Sequence, residues 1–219
     1  MANRIKIIFN LLKSGKITPI FNGITTRLYS CITSFGLEIN PLDVSDNSLA
    51  ENSLKVRRFK TEDLQVLKEE MRHIRLVKEN IPTCYIVENS NQKPVFRQWV
   101  FKEDKNEQVK NYFGGLFPML KKNEALLEGG FTHLDYRGQS IMAKAILSIF
   151  QLEENNDIKR YITFVDITNI ASIKGLNKVG FKLYLLRKEE WFLFKRTISF
   201  FPITTEIEKS YISTISSKT

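Results

Sequence analysis

One polar turn caught between two apolar runs constrains this chain more than anything else in it. The stretch Thr132 to Ile146 reads THLDYRGQSIMAKAI. Before it stands ALLEGGF, short and apolar as a strand is. After it, Met142, Ile146 and Ile149 recur at helical spacing. A strand that passes through such a turn into a helix leaves the first backbone N–H groups of the helix without intrahelical acceptors. Together with the positive end of the helix dipole they form a site for an anion. Arg137, Gly138, Gln139 and Ser140 in the turn, with Ile141 and Met142 at the helix start, are the residues placed to hold it.

The bulk composition narrows the anion. The 219 residues are 42% hydrophobic and 26% charged, with a formal net charge of +9, which favours anionic partners. Nucleic acid is not among those expected, for there is no arginine-rich tract, zinc-finger spacing or RNP-like aromatic signature. Two cysteines, Cys31 and Cys84, are too few for a disulfide scaffold and fit a reducing cytoplasm, with Cys84 read as a buried strand residue. The two histidines, His73 and His133, give no metal-ligand spacing with them, so no metal is expected. No apolar run approaches the roughly 20 residues of a membrane span.

Along the chain, residues 1–51 read as a helical extension and linker, 52–205 as the main domain and 206–219 as a tail. The first 30 residues hold Arg4, Lys6, Lys13, Lys16 and Arg27 and no acidic residue. Ile5, Ile8, Phe9 and Leu12 share one helical face. Phe21, Ile24, Leu28, Cys31 and Phe35 recur at steps of three and four, so two amphipathic helices are expected. They would pack on the main domain or on a second copy in a homodimer. The alternative is peripheral contact of residues 1–35 with an anionic membrane. From Leu54 onward short strands alternate with helices. LKVRRF, TCYIVE, VFRQWVF, ALLEGGFT and RYITFVD are strands, a helix opens near Thr61, and ITNIASIKGLNKVGF is a helix closing at Gly180. KLYLLRKEEWFLFKRTISFF supplies one or two more strands.

The dinucleotide fingerprint, the nucleoside-triphosphate loop and the hydrolase elbow are all absent. What remains is HLDYRGQSIM followed some thirty residues later by NIASIKGLNKVGF, and this order resembles the GCN5-related N-acetyltransferase family from about Ala125 to Phe181. Arg137 falls on the first position of that family's R/Q-x-x-G-x-G/A loop, Asn169 on its post-strand Asn, Ser172 three residues on, and Gly180 with Phe181 on its closing pair. The resemblance implies an α/β (α+β) fold with a mixed, mainly antiparallel sheet flanked by helices. It also implies acetyl-coenzyme A as cofactor, its pyrophosphate on the loop N–H groups and its pantetheine arm against the strand at Gly130, Phe131 and Thr132. The chain departs from the pattern at Ser140 and Met142, where the family has small residues, and at Leu176, where it often has an acidic tyrosine.

Acetyl transfer to an amine requires the amine unprotonated, and free alkylamines have pKa values near ~10, so a base is useful. Glu128 on the strand before the loop is the candidate base, against a reading as a salt-bridged strand residue. His133 is a candidate base or relay, or a loop residue bonded to backbone. Tyr184 is a candidate acid in place of Leu176, unless water protonates the leaving thiolate. Arg97 and Trp99 alternate on one strand and could line the acceptor pocket, or pack and pair. Lys174 and Lys178 are extra phosphate contacts or solvated helix residues. The implied activity is N-acetyl transfer to a small amine, an amino sugar being one acceptor class. The competing class is a non-catalytic module that binds coenzyme A or a membrane surface.

Overall fold

The structure is a computed structural model, and it describes residues 17–44, 54–66, 76–77 and 83–217. The expected helix over Ile5, Ile8, Phe9 and Leu12 lies outside them. Eight strands form one sheet in the order β2-β3-β4-β5-β6-β1-β7-β8. They are β1 (Tyr29–Ile39), β2 (Lys55–Arg58), β3 (Cys84–Glu88), β4 (Pro94–Lys102), β5 (Glu124–Thr132), β6 (Arg160–Asp166), β7 (Lys182–Phe192) and β8 (Lys195–Phe201). Among the described strands only β5 and β6 run parallel; the other neighbours are antiparallel. Five helices accompany the sheet among the described residues: α1 (Ile17–Leu28), α2 (Asn106–Phe113), α3 (Ile141–Phe150), α4 (Ile170–Val179) and α5 (Thr205–Ser216). A single helical turn covers Asp63–Val66. The mixed, mainly antiparallel sheet flanked by helices is the expected fold class.

Alternation along the strands divides the core between the two faces. Phe35, Leu37, Ile39, Tyr161 and Val165 meet α3 and α4 on one face, where Ile146, Ile149 and Leu176 are buried. Trp99, Phe101, Leu126, Ile162 and Phe164 meet Val109 of α2 and Phe117 on the other. Such fully buried apolar side chains contribute about 1.5–3 kcal/mol each relative to exposure.

The N-terminal segment departs from expectation. The helix through Phe21, Ile24 and Leu28 ends at Leu28, and Tyr29–Ile39 is a strand rather than its continuation. That strand lies between β6 and β7 and pairs with both: Phe35 stands opposite Val165 on one side and Leu186 on the other. Two hydrogen-bond ladders and burial of Phe35 and Leu37 outweigh the local helical spacing. The segment expected as a C-terminal tail also packs: α5 is capped by Thr204, and its buried Tyr211 meets the Phe35 ring edge-on at 5.3 Å.

Candidate functional site

β5 and β6 begin side by side and then part. Their parallel pairing covers Glu124, Ala125 and Leu126 against Arg160, Tyr161 and Ile162, and stops there, although β5 runs on to Thr132 and β6 to Asp166. Thr163 to Asp166 keep their pairing to β1 on the far side, so the edge of β6 that faces β5 is open. A cleft of about 200 Å³ fills the gap. Its walls are Leu127 to Gly130 on β5, Thr163 to Asp166 on β6, Met142 and Ile146 on α3, and Asn169, Ser172 and Leu176 beside or on α4. Two diverging strand edges with unused N–H and C=O groups suit an extended chain that carries its own amides.

The β5 wall is shaped by a bulge. Arg97 stands opposite Phe131 and Trp99 opposite Glu128, so β5 carries one extra residue between them, and Gly129 takes φ +65°. Gln98 holds the irregular backbone: its Nε2 donates to the carbonyls of Glu128 at 2.8 Å and Trp99 at 3.1 Å. Sequence reading passed over Gln98, yet a polar side chain in the apolar run VFRQWVF signals a buried partner. A Cβ on Gly130 would stand 2.7 Å from Gln98 Oε1, so glycine is needed for the two to fit.

Glu128 lines the cleft, half-buried. Arg187 on β7 was not foreseen. It is 7% exposed, its Nη2 donates to Ser34 Oγ at 2.9 Å, and its guanidinium lies 4.8 Å from the centre of the Phe164 ring. Burial lowers its pKa, and the negative charge of Glu128 acts in the opposite sense. An arginine in KLYLLRKEEWF was the only signal in the sequence.

The turn and helix start form where the motif put them. Leu134–Tyr136 make a 3-10 turn, Gly138 has φ +78°, and Ser140 starts α3 at φ +57° with no cap bond from its side chain. Nothing lies within 4 Å of where a Cβ on Gly138 would stand, so a phosphate can approach the backbone. Arg137 is exposed, its Nε donating to the Thr132 carbonyl at 3.3 Å. Gln139 reaches back to the Asp135 carbonyl at 3.2 Å. Met142 turns from the loop onto α4, where a Cβ at Gly175 would collide with its methyl group. Its bulk therefore sits over a glycine of the next helix and not in the phosphate loop.

Several candidates stand elsewhere. Tyr184 is not a wall of the cleft: its hydroxyl is buried with no hydrogen-bond partner among the described residues, under the Arg160 guanidinium at 4.8 Å and behind the Phe164 ring at 6.1 Å. Burial raises its pKa. Leu176 lines the cleft at the position Tyr184 was meant to serve. Arg97 and Trp99 are 3% and 0% exposed and stacked on each other at 4.8 Å, which leaves them packed rather than open to an acceptor. Phe131 packs on Ile86, and Thr132 pairs with Phe96, both beyond the wall formed by Leu127 to Gly130. His133 lies outside the cleft with Nδ1 3.5 Å from Asp135 Oδ2 and its ring edge-on to Tyr136. Asn169 and Ser172 line the cleft but are already joined, the Asn169 Oδ1 accepting from the Ser172 N–H at 3.2 Å. Lys174 donates to the Ser217 carbonyl, so it fastens α5.

A parallel pair that opens beside a bulged strand, with a turn and a helix start at its mouth, is the GCN5-related N-acetyltransferase fold. Solved structures share it. A GCN5-related glucosamine N-acetyltransferase region of a fungal multi-domain GH3 β-N-acetylglucosaminidase superposes with TM-score 0.53 at 11% identity, over 86% of this chain and 23% of that one. A GNAT-family acetyltransferase from Colwellia psychrerythraea gives TM-score 0.50 at 13% identity, over 80% and 57%. A functionally unknown conserved protein from Staphylococcus epidermidis gives 0.50 at 11%, over 79% and 66%. This chain thus spans less than two thirds of the length of each. No protein-family profile and no curated protein matches the sequence.

Proposed function

We propose that the chain transfers an acetyl group from acetyl-coenzyme A to a small primary amine, with Glu128 as the base. The observation that carries this is the opening between β5 and β6, with a carboxylate on one wall and an open helix start at its mouth. The residues present fit the cofactor. Gly138 and the first N–H groups of α3 would receive the pyrophosphate, and the free edges of β5 and β6 would pair with the pantetheine amides. When bound, acetyl-coenzyme A supplies an acyl thioester open to attack.

Glu128 accepts, directly or through one water, the proton that an ammonium must lose before its nitrogen can attack, the freed lone pair forms the new C–N bond, and the second proton this nitrogen then sheds passes to solvent. Leu176 has no proton to give, so the thiolate released from the thioester would take its proton from solvent. Arg187, whose charge interacts with that of Glu128, acts as a positioning residue for it. Amino sugars are the acceptor class to assay first, one solved relative of the fold being described as a glucosamine N-acetyltransferase region.

The test is calorimetric titration with acetyl-coenzyme A followed by amine turnover. Glu128→Gln should leave cofactor affinity unchanged and lower kcat by about 10²–10⁴-fold. A second reading, a coenzyme A binder without turnover, rests on Leu176. It wins if the cofactor binds, Arg137→Glu weakens binding, and no amine is acetylated.

A further inference from the structure

We propose that the protein docks on an anionic lipid bilayer through the tip of the β7–β8 hairpin together with the exposed side of α1. The hairpin closes through two residues, since Phe192 pairs with Lys195. Those two, Leu193 and Phe194, have φ +46° and +65°. Two-residue hairpins favour such left-handed pairs, and for that reason use Asn-Gly, because a bulky side chain there is strained. This chain accepts the strain twice and exposes two large apolar side chains, Leu193 at 64% and Phe194 at 56%.

The tip is fastened to the helix. The Leu193 N–H donates to the Leu28 carbonyl at 3.0 Å and the Phe194 N–H to the Arg27 carbonyl at 2.8 Å. These bonds satisfy terminal carbonyls that α1 would otherwise leave open. They also join two apolar sets into one. Phe21, Ile24 and Leu28 are exposed on α1, and Tyr29, 75% exposed, stands on the rung opposite exposed Phe192. A contiguous apolar patch of this kind marks an interaction surface.

Its charges select the partner. Arg27 and Lys195 flank the patch and are exposed. The carboxylates on this end of β7 are already ion-paired, Glu189 with Arg196 at 2.7 Å and Glu190 with Lys188 at 2.9 Å. Residues 1–37 carry five basic residues, Arg4, Lys6, Lys13, Lys16 and Arg27, and no acidic one. Apolar side chains beside cations that have no acidic partner among the described residues match a bilayer with anionic headgroups, where the rings enter the acyl boundary and the cations stay among the headgroups. A second copy related by a two-fold axis would bring its own Arg27 and Lys195 to the same interface, adding cations to a patch already flanked by cations. No helix among the described residues is long and apolar enough to cross a membrane.

The experiment is co-sedimentation of the full chain with vesicles of phosphatidylcholine alone and of phosphatidylcholine mixed with phosphatidylglycerol. A double variant, Leu193→Asn with Phe194→Gly, installs the residues that the turn prefers, so the hairpin keeps its fold while the tip loses its apolar surface. The full chain should partition onto the mixed vesicles only, and less so as salt rises. The double variant should lose at least about tenfold of that partition while melting no lower. Wild-type protein left in the supernatant with both vesicles would overturn the proposal, and so would equal partition of the double variant. A dimer in sedimentation velocity that the tip substitutions dissociate, without vesicle binding, would assign the patch to self-association instead.

Discussion

The start of α3 after β5 and the start of α4 after β6 contribute to the same cleft but are finished differently. At α4 the chain closes its own donors: Asn169 Oδ1 accepts from the Ser172 N–H at 3.2 Å, and Asp166 Oδ1 accepts from the Thr168 N–H at 2.8 Å and its hydroxyl at 2.6 Å. At α3 the N-cap is Ser140, a residue able to cap, yet it sits in the left-handed region and its side chain makes no cap bond. A cap is worth about 1 kcal/mol, and a non-glycine residue in the left-handed region costs about 1–2 kcal/mol. The α3 start therefore forgoes stability that the α4 start keeps. Strain of this kind persists where the rest of the fold over-determines it, and it gathers at ligand sites. The open start is the one proposed above to receive the pyrophosphate; the closed one caps itself and also walls the cleft.

Filling the open start breaks the contrast most directly. Gly138→Val places a branched side chain at φ +78°, in space now empty. It should weaken acetyl-coenzyme A binding by on the order of 10²-fold, about 2.7 kcal/mol, as read by calorimetry. An unchanged Kd would remove the loop from the site. Gly175→Ala acts from the closed helix onto the open one, because the new methyl must displace the end of Met142. Helix propensity returns about 1 kcal/mol, and a displaced rotamer costs about 0.5–1.5 kcal/mol, so the melting temperature should barely move. Affinity should fall by about tenfold as Met142 turns into the cleft, equivalent to about 1.4 kcal/mol. A large loss of stability with intact affinity would show that Met142 cannot yield.

Much of the frame of the cleft could be read in the sequence, and what could not has physical causes. The turn at Arg137 to Ser140, the strands on either side of the cleft, Glu128 on its wall and Gly180 as a left-handed cap all follow from local chemistry. β1 was hidden because it is a central strand: Ser34 to Leu37 are buried in succession, so no period of two shows. The spacing of Phe21, Ile24, Leu28, Cys31 and Phe35 then imitates a helix across its real end at Leu28. Tyr184 was misassigned because its phenol had to be placed by tertiary packing, which set it behind Phe164. Met142 against Gly175, and Gln98 against the Glu128 carbonyl, are contacts between segments about thirty residues apart in sequence, and no local pattern encodes them.

The closed start offers a smaller test. Asn169→Ala removes the acceptor for the Ser172 N–H and should lower stability by about 1 kcal/mol. Cofactor affinity should change less than for Gly138→Val, since the side chain serves α4 first. A loss of affinity as large as at Gly138 would instead make Asn169 a direct contact.

The smallest expected effect has the opposite sign. Ser140→Gly keeps the backbone at φ +57° and removes the Cβ that makes this conformation costly. Because Ser140 gives α3 no cap bond, nothing is lost from the folded helix start. The gain is limited by the greater freedom of glycine in the unfolded chain, which takes back roughly 0.5–1 kcal/mol of the 1–2 kcal/mol of relieved strain. A net stabilisation of about 0.5 kcal/mol is expected, measured by denaturant midpoint at constant slope. Acetyl-coenzyme A should bind at least as tightly, because the N–H groups of the α3 start are unaltered and the approach to them is wider. If the variant is less stable and binds more weakly, the Ser140 hydroxyl is itself part of the anion site, and the α3 start is open in its backbone alone.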